Sequence, residues 1–204
     1  RLRNGRRHVI GYVGIMGAQD GVDLLIEAMA QLVNVQGRRD TQCVIVGSGT
    51  EFERLKSMVA THGLDDYVTF TGFLSGQPLL RAFSTFDIGV IPDPKNGYND
   101  KISMNKVFEY MTLGIPFVQF DLDEGMRVAC DAALVARNNS PIELAGQMAR
   151  LLGDDALRAT LAGIGRQRAQ ALLRWDTERA QLLAAYDLIL KDRSQPSVLA
   201  LPTR

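Results

Sequence analysis

The stretch HVIGYVGIMGAQDGVDLLIEAMAQLV, residues 8–33, decides the fold. It opens with a short apolar run, residues 8–14, that ends on a glycine. A run that is continuously apolar rather than alternating suits a strand covered on both faces, as in a parallel sheet. A glycine-rich turn follows. Beyond it Val22, Leu25, Ile26, Met29 and Val33 recur at the spacing of one helix face. Strand, turn and helix in that order make the first half of a βαβ unit.

The unit repeats along the chain. Residues 41–47 (TQCVIVG) read as a second strand, and TEFERLKSMVATHG (50–63) reads as a helix closing on Gly63. Residues 67–72 form a third strand, 77–86 a third helix and 87–92 a fourth strand. A polar loop, PKNGYND, leads into KISMNKVFEYMTLGIP (101–116), an amphipathic helix with a glycine stop and a proline. Residues 115–120 and 132–136 supply a fifth strand and a short sixth. Strands alternating with helices argue for an α/β fold, a doubly wound, parallel six-stranded sheet of Rossmann-like type. Its expected order is 3-2-1-4-5-6, with a ligand crevice between the carboxyl ends of strands 1 and 4. From residue 140 the pattern is helical over 140–153, 154–173 and 175–191. Ser140, Pro141 and Glu143 mark a helix start, the hydroxyl and carboxylate satisfying free amides. The expected organisation is a basic linker over 1–7, one domain over 8–191 and a flexible tail over 192–204.

Composition narrows the function. Of 204 residues, 46% are apolar and 23% charged, an ordinary globular balance with chain enough for a sizeable core. Lys plus Arg and Asp plus Glu number 23 each, so no global field favours nucleic acid or an anionic membrane. The start, RLRNGRR, is locally basic and reads as a solvated linker. Cys43 and Cys130 give neither a disulfide framework nor a metal-ligand spacing, and read as buried, reduced thiols of a cytosolic protein. No apolar run approaches the ~20 residues that span a bilayer. No stretch reads as a signal peptide and the first residue is not Met, so the chain is expected to be a fragment.

The crevice loops carry the chemistry. After strand 1, Gly14 and Gly17 let backbone approach a phosphate, or serve only as a tight turn. After strand 2, Gly47 and Gly49 match half of a dinucleotide fingerprint on the wrong strand, which argues against NAD. After strand 3, Gly72, Phe73 and Leu74 could stand beside a planar base, with Phe73 in the core as the alternative. After strand 5, Asp121 and Asp123 form a D-x-D that reads as helix capping more than metal binding, and Glu124, Gly125 and Arg127 are sugar and phosphate candidates. On the helix after strand 4, Lys101, Asn105 and Glu109 would share a face, with Met104, Val107, Phe108 and Met111 towards the core and Lys106 beside the polar stripe. A carboxylate there suits two ribose hydroxyls, and lysines at the helix start suit a diphosphate. The plainer alternative is a solvated Lys106–Glu109 pair. His8 and His62 lie away from the crevice.

At these residues the chain resembles the donor-binding, C-terminal domain of retaining group 1 glycosyltransferases, one half of a GT-B enzyme. The resemblance spans roughly residues 8–190 and rests on GYVGIMGAQDGVDLLIEAM, CVIVGSGTEFERL, VTFTGFLSGQPLLRAFSTFDIGVIP, NKVFEYMTLGIPFV and WDTERAQLLAAYDLIL, in that order. It implies a nucleotide-diphospho-sugar donor as substrate with no cofactor or metal. Glu109 would hold the ribose, Gly72–Leu74 would lie beside the base, and the Gly14–Gly17 turn would face the sugar phosphate. The family's first glutamate is Lys101 here, and its diphosphate-gripping Arg and Lys are Ile15 and Asp20. The expectation is therefore that Lys101 and Lys106 take over the diphosphate. The catalytic residue is unknown and is expected in an absent N-terminal acceptor domain. The intact enzyme is expected to be cytoplasmic, peripheral to the membrane if its acceptor is a lipid. The alternatives are a sugar-nucleotide epimerase of the same fold and a non-catalytic nucleotide-binding module.

Overall fold

A computed structural model describes residues 2–172 and 174–193. In chain order it contains β1 (His8–Val13), α1 (Val22–Ala30), β2 (Thr41–Val46), α2 (Phe52–Thr61), β3 (Val68–Gly72), α3 (Gly76–Phe83) and β4 (Ile88–Ile91). There follow α4 (Asn105–Leu113), β5 (Phe117–Phe120), α5 (Asp123–Ala129), β6 (Ala133–Ala136), α6 (Pro141–Gly153), α7 (Asp155–Leu172) and α8 (Trp175–Arg193). The six strands are all parallel and run β3-β2-β1-β4-β5-β6, the order expected from the sequence.

Successive residues of each strand serve opposite faces. Ile10 and Tyr12 of β1 pack with Leu25, Ile26 and Met29 of α1 and with α6, whereas Val9 packs on the other face with Phe83, Tyr110 and Phe117. Both faces are covered, which is why the strands carry no polar alternation. Ser140 caps α6 as the sequence suggested: its hydroxyl accepts from Glu143 N, and the Glu143 carboxylate accepts from Arg137 N.

Four expectations change. Cys130 is exposed, whereas Cys43 is buried as expected. Residues 123–127 of the stretch DLDEGMR, read as loop, lie in the short helix α5. The basic arm is docked rather than solvated. Arg3 donates to both oxygens of Asp87 (2.9 and 3.2 Å), Leu2 packs on the core, and the Arg6 guanidinium lies 4.2 Å over the Tyr67 ring. Asp87 also accepts from Val9 N, so the arm closes the amino ends of β1 and β4, away from the crevice. Helix α8 runs through Arg193, two residues into the expected tail, whose remainder lies outside the described residues.

Candidate functional site

The turns after β1, β2 and β4 are crossed so closely that only glycine fits. Gly47 has φ 135°, and a Cβ there would run into the Gly14 carbonyl; Gly21 has φ 65°, and a Cβ there would run into the Pro92 carbonyl. This crossing leaves a cavity of about 260 Å³ at the carboxyl ends of β1, β2 and β3, walled by Gly14, Ile15, Ser48, Phe73, Leu74 and Leu79. Phe73 is 78% exposed and Ile15 68% exposed at its rim, so Phe73 is not a core residue. Leu79 also lines a groove of about 370 Å³ between α3 and α4 that contains Glu109. The two spaces share that leucine wall.

Helix α4 is rotated relative to the sequence expectation, and the cause is Tyr110. Its ring lies against Gly89, where any Cβ would meet it, and its hydroxyl donates to Gly11 O at 3.1 Å. Seating the ring on Gly89, with its hydroxyl on the Gly11 carbonyl, turns Lys106, one helical turn earlier, onto the same inward face. The buried set is therefore Lys106, Val107, Tyr110 and Met111, with Phe108 only half-buried. Lys106 is 7% exposed; its ammonium lies 3.1 Å from a carboxylate oxygen of Asp93 and 5.0 Å over the Tyr12 ring. It makes no ion pair with Glu109. Lys101 is not on the helix at all: it ends a 3-10 turn, Asn99–Lys101, and the helix begins at Asn105. Lys101, Asn105 and Glu109 thus do not share a face.

Glu109 is half-buried among Leu79, Leu80, Phe83 and Phe108, and no described residue bonds its carboxylate. Burial holds its pKa above the ordinary carboxylate value, partly offset by Lys106. The amino end of α4 has neither a side-chain cap nor an acidic residue in its first turn. Val107 N donates to Met104 O, so the Asn105 and Lys106 amides and the helix dipole are what is left for an anion.

The profile of the family described as glycosyl transferases group 1 matches residues 7–154. The chain belongs to the group 1 glycosyltransferases. It is 32% identical to the alpha-D-kanosaminyltransferase of Streptomyces kanamyceticus over 76% of its own length and 39% of that protein's. It is 28% identical to the GDP-mannose-dependent alpha-(1-6)-phosphatidylinositol monomannoside mannosyltransferase of Mycobacterium tuberculosis, over 89% of this chain and 48% of that one. The chain thus spans less than half the length of these curated relatives. Sucrose-phosphate synthase from Thermosynechococcus elongatus superposes with a TM-score of 0.74 at 26% identity, covering 91% of this chain and 46% of that chain. Anabaena HepE, solved with UDP and glucose, shares the fold with a TM-score of 0.75 at 20% identity, over 90% of this chain and 49% of that one.

In this group 1 glycosyltransferase chain Ile15 and Asp20 each have a structural task. Ile15 forms the cavity rim, and Asp20 accepts from Gly17 N at 2.8 Å, so the Gly17 amide is already engaged. Gly72 O accepts from Gly47 N and ties the β2 and β3 turns together. Glu124 and Arg127 face each other: both guanidinium contacts are 2.7 Å, and Ser103 also donates to Glu124. Those bonds hold the Glu124 carboxyl at about 2, led by Arg127. Gly125 lies over the amide of Gln119, a side chain 1% exposed. Asp121 and Asp123 do not cap α5; Asp123 pairs with Lys95 at 2.7 Å.

Sequence reasoning missed the loop 93–101. Lys95 also donates to Asp100 (2.9 Å) and Asp121 O (2.9 Å), and its backbone is bracketed by the Asn139 amide. Buried Asn99 donates to Gln19 O and Pro94 O, joining this loop to the β1 turn. The available signal was position alone: Asp93 directly follows strand 4, where crevice residues belong.

Proposed function

We propose that the chain is the donor-binding half of a glycosyltransferase that moves a sugar from a nucleotide-diphospho-sugar to an acceptor with retention of anomeric configuration. One observation carries the reading. An apolar cavity flanked by exposed Phe73 and by Leu74 adjoins, across Leu79, a carboxylate at Glu109 that no described residue bonds. The cavity suits a planar base and Glu109 suits the two ribose hydroxyls beside it. That placement lays the diphosphate towards Gly14, Gly17 and the open amino end of α4, with Lys101 and Lys106 as its cations. The sugar then lies towards Glu124, Gly125 and Arg127. The departing diphosphate gathers negative charge in the transition state, and fixed positive groups there lower the barrier. Neither cofactor nor metal is required by this reading. The acceptor and the catalytic group belong to the remainder of the enzyme.

Thermal melts with UDP, GDP and ADP at millimolar concentration test the proposal. A rise in Tm with at least one of them is expected, because a ligand well above its Kd stabilises the fold it binds. A flat response to all three overturns it. A second reading, a nucleotide-binding module without turnover, is favoured by the pairing of Lys106 with Asp93, which offsets its charge. A nucleotide-stabilised protein that transfers no sugar when joined to its acceptor half would establish that reading instead.

A further inference from the structure

Among the described residues, Lys106 is the buried member of the lysines and arginines. Its ammonium carries three donors, yet the Asp93 carboxylate is its sole hydrogen-bond acceptor among those residues, at 3.3 Å to Oδ1. The third neighbour is backbone. A Cβ added at Gly14 would lie 3.5 Å from Lys106 Nζ and 2.8 Å from the Tyr12 hydroxyl. Gly14 is also part of the cavity wall. Gly14 therefore adjoins both the buried charge and the crevice, and the ammonium has donors without an acceptor among the described residues. Stability is a poor reason for such a pair, since desolvating two charges commonly outweighs their attraction.

Resting on the nucleotide-sugar reading above, we propose that Asp93 is a positioning residue of the diphosphate subsite. It holds the Lys106 ammonium beside Gly14, where a phosphate oxygen brought in against the bare glycine supplies the missing acceptor. Tyr12 completes the seat: its ring supports the ammonium and its hydroxyl donates to Ile15 O at 2.6 Å, fixing the turn above.

The test is the affinity gained from the second phosphate, measured by calorimetry as UDP against UMP and GDP against GMP. In the unaltered chain the diphosphate should bind at least about tenfold tighter than the monophosphate, as a charge-assisted contact implies. K106M and D93N should each reduce that ratio to within about twofold. D93N introduced into K106M should change the ratio no further, because Asp93 acts through the ammonium. G14A, which sets a methyl group 3.5 Å from the ammonium and leaves both charges in place, should also lower it. A purely structural pair would weaken both nucleotides alike and keep the ratio, and that result overturns the proposal. Should D93N fail to fold, a crystal structure of the unaltered chain with UDP decides: a phosphate oxygen within hydrogen-bond distance of Lys106 Nζ supports it, and a diphosphate seated elsewhere overturns it. An unaltered chain that binds neither nucleotide series sinks the donor-site reading and this proposal together, whereas retained binding with an unchanged ratio in the variants sinks this proposal alone.

Discussion

Glu109 is the residue at which stability and binding pull apart. Its pKa is raised by burial, so the folded protein binds this proton more tightly than the unfolded chain does. The sign follows: the cost of Glu109 is absent below the unfolded value near 4.5 and develops as pH rises through the raised folded value. E109Q should therefore leave Tm equal or higher at pH 7, with the difference closing in acid, while weakening nucleoside diphosphate binding. Melts across pH and calorimetry at pH 7 check both halves; a large loss of Tm with unchanged affinity would make Glu109 structural. Nucleotide affinity should also rise with pH through the Glu109 pKa, because only the carboxylate accepts two hydroxyls, and this slope should vanish in E109Q. The Asp93–Lys106 pair gives a second asymmetry. D93N strands a buried ammonium, a loss of about 3–5 kcal/mol for a broken buried pair. K106M strands a carboxyl whose pKa burial already raises, so it can take up a proton instead. K106M should accordingly be the milder change, and more stable at pH 5 than at pH 8, since its folded-state proton is lost as pH rises. Denaturant titrations at the two pH values measure this.

At the scale of elements, the strands were legible because burial on both faces leaves an unbroken apolar run, and their order is the usual one of a six-stranded Rossmann-like sheet. The α6 start was legible for an equally local reason, and S140A should cost about 1 kcal/mol, read as a fall in Tm of about 2–4 °C. Helix α4 was only half legible. Its existence and its Gly114 stop follow from local pattern, but its rotation is set by Tyr110, whose ring rests on Gly89 and whose hydroxyl bonds the Gly11 carbonyl, residues of two other strands. Periodicity counts lysine as polar and so turned Lys106 outward. The loop 93–101 was illegible because its order comes from distant partners, Asp123 and Asn139 for Lys95 and Gln19 for Asn99. Lys95 bonds Asp123 and Asp100, contacts that lift its own pKa to about 12. K95A should therefore release this loop selectively. Amide exchange at Tyr98, Asn99 and Lys101 should quicken while that of α1 stays as it was, and uniform acceleration across the fold would instead mean global destabilisation.

At the scale of the whole molecule, α8 is the element whose sequence makes least sense within this chain. Every α8 side chain from Glu178 to Leu190 is exposed, including Leu182, Leu183, Tyr186, Leu188, Ile189 and Leu190. A helix of 19 residues gains little from backbone propensity alone, and apolar side chains on this scale are seldom left to water. The relatives are more than twice as long as the segment they share with this chain, as the 39% and 48% coverages show. For the chain by itself, the cover at hand is a second copy. Sedimentation of the chain at increasing concentration should show reversible self-association, and L183E with I189E should suppress it. Because α8 lies outside the crevice residues, the same double variant should keep the Tm rise given by nucleoside diphosphate. A chain that stays monomeric at every concentration would mean that α8 folds back onto its own domain in solution; loss of the nucleotide response in the variant would place α8 in the donor site itself.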